Sequence, residues 1–230
     1  MLERQGRNGP PRSSLPAGGN TTIEETEAAA NEAKRTDRPG LTIFTDGSRL
    51  ENGATGYAVV WKNSQTWKGH KTHLGWGQEA YDAECAALAR ALQVAAARNH
   101  TLGLVTILTD CQADGLRRTG TGAKYALEAR RHIATLRAKE PSARVEIRWC
   151  PSHQGIEGNE VADEWAKLEA DEPDAHGVGW FSTKNPDGTV TERVFPLPRS
   201  FANIKRGFSE KKWQDAKGWA RRKLQLQVPA

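Results

Sequence analysis

Four acidic residues have local settings that suit metal ligands: Asp46, Glu84, Asp110 and Asp163. Two of them follow strongly β-forming runs, 41–45 and 103–109, so we expect their carboxylates to project from adjacent strand ends toward one point. The other two open or lie within helical stretches. Carboxylates gathered from four elements repel one another unless a cation holds them, and such hard oxygen ligands suit Mg²⁺ or Mn²⁺. The set predicts a divalent metal site, and such a site indicates phosphate chemistry.

Each acidic residue alone has a simpler interpretation. Asp46 with the following glycine could form a turn, Glu84 could interact with a helix dipole, Asp110 could cap a helix, and Asp163 could be a solvated helix residue. Their joint order favours the metal interpretation, together with the run Trp-Cys-Pro-Ser-His-Gln-Gly-Ile-Glu-Gly-Asn-Glu-Val-Ala-Asp at 149–163. A scaffold has no physical need for a repulsive acidic cluster.

These motifs resemble the type I ribonuclease H family over residues 41–170. The matching segments are Thr-Asp-Gly-Ser at 45–48, Ala-Glu at 83–84, Thr-Asp-x-Gln at 109–112 and Pro-Ser-His-x-Gly-Ile-x-Gly-Asn-Glu-x-Ala-Asp at 151–163. The resemblance implies that the four acidic residues bind two Mg²⁺ ions, with Mn²⁺ as an alternative. It also implies that His153 lies on a mobile loop and assists proton transfer and product departure. The runner-up role for His153 is purely structural.

The same resemblance implies an endonuclease that hydrolyses the RNA strand of RNA/DNA hybrids and leaves 5′-phosphate and 3′-hydroxyl ends. RNA would be distinguished through its 2′-hydroxyls in the minor groove. By resemblance, the residues that contact the hybrid are Gly47, Ser48, Gln112 and Asn159. Two open alternatives are a catalytically silent nucleic-acid-binding scaffold and a nuclease of the same broad fold that cuts DNA duplexes.

Two features depart from the family pattern. Members commonly carry Asn or Gln just before the catalytic Glu, whereas Ala80-Tyr-Asp-Ala83 stands here, and Gln78 is the available substitute. The connection between Asp110 and His153 has no room for the additional helix and basic loop of bacterial-type members, so the module resembles the compact retroviral form. The segment Ile-Glu-Gly-Asn-Glu at 156–160 and the basic tail look most like ribonuclease H modules of non-LTR retrotransposon polyproteins. That resemblance implies a reverse transcriptase domain in cis as a partner.

The elements that must position these residues form an α/β, ribonuclease H-like fold. We predict strands at 41–45, 55–61 and 65–74, with turns at 46–48 and 62–64, and then a long Ala-rich helix at 79–98. A strand at 104–109, a short helix after Asp110, a helix at 123–139, a strand at 145–150 and a helix at 156–170 follow. This order predicts a mixed five-stranded sheet, three strands antiparallel and then two parallel, with helices on both faces.

Three regions are predicted: a segment 1–40, the ribonuclease H domain 41–172 and a tail 173–230. Residues 1–20 are predicted to be disordered, and Thr22 with Glu25 to cap a short helix that reaches Lys34. In the tail, 178–183 and 189–195 flank a hairpin turn at 185–188. Ser200 would cap one or two basic helices. Their apolar stripe is expected to pack rather than to stack with bases, and it comprises Phe201, Ile204, Phe208, Trp213 and Trp219.

The chain has 230 residues, a net charge of +5 and three cysteines without disulfide or metal spacing. No signal peptide or membrane span is evident, so we expect an intracellular protein, nuclear or cytoplasmic, without a membrane partner. The excess charge lies in the tail, where 205–223 holds eight Lys or Arg against two acidic residues. This density would attract a polyanion, or would simply solubilise a surface helix. The substrate-binding candidates there are Lys205, Arg206, Lys211 and Lys212.

Overall fold

The computed structural model describes residues 23–98, 103–111, 122–171, 182–184, 190–192 and 199–225. In chain order its elements are α1 (Ile23–Ala33), β1 (Leu41–Arg49), β2 (Thr55–Asn63), β3 (Thr66–Gly75), α2 (Ala80–Ala97), β4 (Leu104–Thr109), α3 (Ala123–Lys139), β5 (Arg144–Trp149), α4 (Glu157–Ala170), β6 (Ser182–Lys184), β7 (Val190–Glu192) and α5 (Phe201–Gln225). Among the described residues, no helix is both long and apolar enough to cross a bilayer.

The sheet has the order β3-β2-β1-β4-β5. β3, β2 and β1 pair antiparallel, and β1, β4 and β5 pair parallel. This confirms the predicted mixed five-stranded sheet. The strand β4 lies between two parallel neighbours and has both faces covered, which is why its sequence is an almost continuous apolar run. Val105 and Ile107 belong to one core cluster, and Leu108 belongs to the other.

Helices cover both faces, as predicted. The α2 and α3 helices pack on one face, where the buried alanines of α2 meet the apolar side chains of β1, β2 and β4. The α4 helix packs on the other face beside α1. Small residues let α4 approach the sheet closely: Ala162, Ala166 and Ala170 are buried, and a Cβ built on Gly56 of β2 would stand 2.6 Å from the backbone nitrogen of Ala170. The sheet therefore lies between two closely packed helical layers.

One predicted boundary is wrong in a way that matters for the site. The sequence Asp46-Gly47-Ser48 was predicted to turn the chain, but β1 continues through it to Arg49. Asp46 pairs with Ala58, and the ladder with β2 runs on to the pair Arg49 and Thr55. Backbone hydrogen bonds to a neighbouring strand outweigh the local turn preference of these residues. The predicted segment 1–20, the cap at Thr22, the short helix after Asp110 and the hairpin turn at 185–188 lie outside the described residues.

Within the described part of the tail, β6 and β7 of the predicted hairpin pair antiparallel over three residues each. A single helix, α5, follows. Its predicted cap is confirmed, because Ser200 Oγ accepts a hydrogen bond from the backbone nitrogen of Asn203 at 3.1 Å. The expectation that its apolar stripe packs within the chain is wrong. All five stripe residues are exposed, from 38% for Ile204 to 78% for Phe201.

Candidate metal centre

Strand register brings Asp46 and Asp110 together. The parallel pairing of β1 with β4 ends at Thr45 and Thr109, so the two aspartates are the next residue on each strand. Side chains alternate along a strand, which places Asp46 on the same sheet face as Phe44 and Asp110 on the same face as Leu108. Both apolar residues belong to the core cluster beneath α4. The two carboxylates therefore lie side by side at the end of that layer.

Glu84 reaches the same point from the opposite layer, in the second turn of α2. The contact is possible because Gly47 stands between the strand and the helix. A Cβ on Gly47 would lie 2.6 Å from the carbonyl carbon of Ala83, and closer still to the backbone nitrogen of Glu84. The backbone of Gly47 also donates a hydrogen bond to the Glu84 carboxyl group. Gly47, which was predicted to contact the substrate, is thus the residue whose missing side chain lets α2 pack closely against β1.

The three carboxyl groups of Asp46, Glu84 and Asp110 each offer an oxygen within 4.8 Å of the others. Asp163, on α4, lies outside this group and forms an ion pair with Lys167 one helical turn on, with Nζ 2.7 Å from Oδ2. It is nevertheless close enough for its charge to raise the pKa of each of the three carboxyl groups. The structure therefore brings three of the four predicted ligands together and places the fourth beside them.

Burial and mutual repulsion keep protons on this cluster. Burial raises the pKa of Asp46 to about 7, and the charges of Asp110 and Asp163 add to the effect. Burial also raises the pKa of Glu84 well above its usual value, with further contributions from the two aspartates. The pKa of Asp110 is raised mainly by burial. Among the described residues, Lys167 is the cation whose charge opposes the shift at Asp46. Such shifts are typical of carboxylates that share a site without a counter-ion.

The donor set fits a hard divalent cation. Oε2 of Glu84 is buried and has no hydrogen-bond partner within the described residues, which is costly unless a cation approaches it. The neighbouring thiols do not compete as ligands, since burial raises the pKa of Cys85 to about 11 and that of Cys111 to about 12. Neutral thiols are weak ligands, whereas carboxylate oxygens suit Mg²⁺ or Mn²⁺. Asp46, Glu84 and Asp110 would hold the metal.

Several residues orient Asp110. The indole nitrogen of Trp149, at the end of β5, donates to its carbonyl oxygen at 3.1 Å. The side chain of Asn159, only 2% exposed, hydrogen-bonds to its carboxyl group and accepts a hydrogen bond from Cys150 Sγ at 3.2 Å. Sequence reasoning missed the roles of Trp149 and Lys167. Both stand inside or just after the 149–163 motif, so their position in it was the available signal.

His153 lies in the loop between β5 and α4 and is exposed. Its φ of 56° is in the left-handed region, and Gly155 follows with a φ of 66°. Two left-handed residues in three positions make a tight loop that displays the imidazole to solvent. His153 is therefore an exposed loop residue that is not part of the three-carboxylate group.

The residues predicted to contact the substrate differ in their exposure to solvent. Ser48 is partly exposed on β1, whereas Asn159 is buried and Gln112 lies outside the described residues. Gln78, the substitute considered for the family's amide, is fully buried. On α5, Lys205, Lys211 and Lys212 are exposed. Arg206 instead bonds to Glu79 Oε1 at 2.9 Å and to Glu210 at 2.7 Å.

The family model described as RNase H matches residues 38–171. No curated protein sequence matches the chain significantly. The solved structures similar to the chain include RNase H1 of the halophilic archaeon Halobacterium salinarum, at 20% identity over 57% of this chain and 97% of that chain, with a TM-score of 0.46.

Two further similar structures were solved as complexes with an RNA/DNA hybrid. LC11-RNase H1, isolated from compost, is 20% identical over 57% of this chain and 96% of that chain, with a TM-score of 0.42. The foamy viral protease-reverse transcriptase is 18% identical over 69% of this chain and 24% of that chain, with a TM-score of 0.44.

Proposed function

The chain belongs to the RNase H family through residues 38–171, and from this premise we propose that it hydrolyses the RNA strand of RNA/DNA hybrids. The observation that carries the proposal is the meeting of Asp46, Glu84 and Asp110, whose oxygens lie within 4.8 Å of one another. Three acidic groups at one point, Asp46 buried and the other two partly buried, destabilise a fold in the absence of a cation. A catalytic use of a metal gives a reason for their presence.

We infer that Mg²⁺ is the metal, with Mn²⁺ as a substitute, and that two ions bind with Asp163 as the fourth ligand. When bound, they would supply an activated water and offset negative charge on the leaving 3′ oxygen. The protein's own contribution is to hold three carboxylates in one place. Gly47 lets Glu84 approach the strand, and Trp149 and Asn159 fix Asp110. This preorganisation leaves little to rearrange when substrate arrives.

Lys167 and His153 have separate roles in this proposal. The Lys167 ammonium group neutralises Asp163 and lowers the pKa of Asp46, so it keeps the cluster available to metal at neutral pH. His153 is displayed on the surface by a left-handed loop, from where its imidazole would carry a proton toward the departing product. The products would be a 5′-phosphate and a 3′-hydroxyl end.

Recognition of RNA would use its 2′-hydroxyls, which distinguish it from DNA in the shallow minor groove. Ser48, partly exposed two residues beyond Asp46, would contact this groove, as would Gln112, which follows Asp110 by two residues in the sequence. Asn159 would act indirectly, because it is buried against Asp110. A reverse transcriptase domain in cis would be the natural source of hybrid, in the nucleus or the cytoplasm.

A cleavage assay tests the proposal. A hybrid labelled on the RNA strand should be cut by the full chain in Mg²⁺ and not in EDTA, while RNA and DNA duplexes of the same sequence stay intact. Asp110→Asn should reduce the rate at least about 100-fold. The matched control is Asp171→Asn, which changes an exposed aspartate just after α4. Metal-independent binding without cleavage would support the scaffold alternative instead.

A further inference from the structure

The first turns of the α5 helix attach it to the domain. The backbone nitrogen of Ser200 donates to the carbonyl oxygen of Gly77 at 2.6 Å, and the Asn203 amide donates to Glu79 Oε1 at 2.9 Å. Arg206 pairs with the same oxygen. Beyond Gly207, the residues of α5 whose burial is described are exposed, apart from Gly218, which is partly exposed. The helix is therefore an arm that is anchored at its first turns and exposed along most of its described length.

Glu79, the residue that anchors the arm, lies close in the sequence to Glu84 of the three-carboxylate group. Glu79 immediately precedes α2, where its backbone nitrogen donates to Asp82 Oδ2 at 2.9 Å. It stands five residues before Glu84, which is about 7.5 Å along a helix axis at 1.5 Å per residue. Arg49, at the end of the strand that carries Asp46, also contacts Glu79, with 3.5 Å between Nε and Oε2. The arm thus starts where the end of β1, the strand that carries Asp46, meets the start of α2, the helix that carries Glu84.

One face of the arm alternates aromatic and basic side chains. Its members recur at intervals of three, four or seven positions and therefore share one side of a helix. In order they are Phe201, Lys205, Phe208, Lys212 and Trp219. The three aromatic rings are 78%, 72% and 60% exposed. Asn203 lies about half a turn away from Phe201 at 100° per residue, so this face points away from the domain.

Four lysines on the arm differ from Arg206 in their ion pairing. Within the part of the chain that the structure describes, no carboxylate pairs with Lys205, Lys211, Lys212 or Lys217. Glu210, one of two acidic residues on the helix, is held by Arg206. A row of unpaired ammonium groups complements the evenly spaced phosphates of a nucleic acid. Phosphate binding explains the lysines but not the exposed aromatic rings on the same face, because phosphates do not bind to such rings.

Unpaired bases supply that explanation. Bases in a duplex stack on one another, whereas the bases of a single strand can stack on protein aromatic rings while lysines follow the backbone. From this geometry we propose that α5 binds single-stranded nucleic acid that extends from the end of the hybrid. The proposal rests on the proposed function, since the hybrid defines the strand that the arm would hold. RNA and DNA strands share this chemistry, and the experiment compares them.

Binding is measured by fluorescence anisotropy with the full chain carrying Asp110→Asn, in EDTA, so that no cleavage occurs. The probes are a labelled 15-nucleotide RNA, the corresponding DNA and a blunt 18-base-pair hybrid. Phe208→Ala with Trp219→Ala should weaken binding of the single strands at least about 10-fold, since each stacked base contributes measurably. Binding of the blunt hybrid should change less than about twofold. Helix content by circular dichroism confirms that the variants stay folded.

Trp76→Ala is the matched control, because Trp76 is also exposed, at 48%, but lies on the loop before α2. It should leave single-strand binding unchanged. Lys205→Gln with Lys212→Gln should reduce the salt dependence of single-strand binding by about 1.4 in log–log slope, or 0.7 per lost phosphate contact. A preference between the RNA and DNA probes would identify which strand the arm holds.

Three outcomes would overturn the proposal: single-strand binding that survives loss of both rings, an equal loss for the blunt hybrid, or binding of the wild-type arm to anionic lipid vesicles but not to oligonucleotides. Failure of the proposed function is separate. It would appear as a wild-type chain that does not cut a blunt hybrid in Mg²⁺, whatever the arm binds.

Discussion

Gly47 and Glu84 pack so closely that no side chain fits between the strand and the helix that carry them. A Cβ at position 47 would lie 2.6 Å from the carbonyl carbon that precedes Glu84. The Gly47 backbone also hydrogen-bonds to the Glu84 carboxyl group. The glycine is needed for this close approach rather than for an unusual backbone angle. Without it, Glu84 could not join the carboxylates of the other layer.

Gly47→Ala should therefore separate α2 from β1 and disable the site. We expect a loss of about 3 kcal/mol in the free energy of unfolding, as for overpacked cores, together with loss of hybrid cleavage. Gly103→Ala is the control, since a Cβ there meets nothing within 4 Å. Urea denaturation and the cleavage assay check both. A Gly47→Ala chain with wild-type stability would contradict the close packing.

The metal-free protein should be less stable at high pH because of Asp46. Its pKa rises from 3.8 to about 7 on folding, so between these values the folded state holds a proton that the unfolded state has lost. Stability from this group is therefore full below about pH 4 and declines as the pH rises through 7. In EDTA at pH 8, Asp46→Asn should raise the free energy of unfolding by about 1–3 kcal/mol, or about 2–10 °C in Tm.

The comparison at pH 4 tests the cause of that gain. There the wild-type carboxyl group is largely protonated, so the advantage of Asp46→Asn should nearly vanish. Asp171→Asn, at an exposed position, should shift Tm little at either pH. A gain from Asp46→Asn that is the same at pH 4 and pH 8 would mean that charge repulsion is not its origin.

Lys167 should set the pH at which the metal binds. Its charge lowers the pKa of Asp46, so Lys167→Gln should raise that pKa and let protons compete better with the cation. We expect the Mg²⁺ concentration for half-maximal cleavage to rise about 3-fold or more at pH 6.5, and less at pH 8.5. Lys167→Arg keeps the charge and should behave as wild type. An equal change at both pH values would point to lost helix packing instead.

His153 combines an imidazole with a left-handed backbone, and three substitutions separate the two contributions. Asn and Gly tolerate a φ of 56°, whereas Ala is strained there. If the imidazole transfers a proton, then His153→Asn, His153→Gly and His153→Ala should all lower kcat by about 10–100-fold. Only His153→Ala should also lower Tm. Full activity in the Asn and Gly variants would assign His153 a structural role.

Much of the fold could be predicted because its hydrophobic pattern is strong. The bounds of β4 and α3 match the prediction to the residue, since β4 is a buried apolar run and α3 is closed by Pro141 two residues after its end. The antiparallel and parallel halves of the sheet also followed from element order. The choice of Asp46, Glu84 and Asp110 came from motif order and agrees with the geometry.

Features that depend on contacts between distant parts of the chain could not be predicted from the sequence. Asp46-Gly47 has the composition of a turn, and only pairing with Ala58 and its neighbours keeps it extended. The link from Glu79 to Arg206 joins positions 127 residues apart, and no local pattern marks it. The rings of α5 were expected to be buried because apolar stripes usually are. Their exposure follows from the helix being anchored at one end.

The separation of the three acidic residues along the chain has a consequence for biosynthesis. Asp46 and Asp110 meet only through the parallel pairing of β1 with β4, and that strand is the fourth of the five to leave the ribosome. A nascent chain that ends before Leu104 can form the β1–β3 meander and α2 but lacks one of the three carboxylates. The three-carboxylate group is thus completed only when translation is well advanced, and a product truncated before Leu104 would lack the full group.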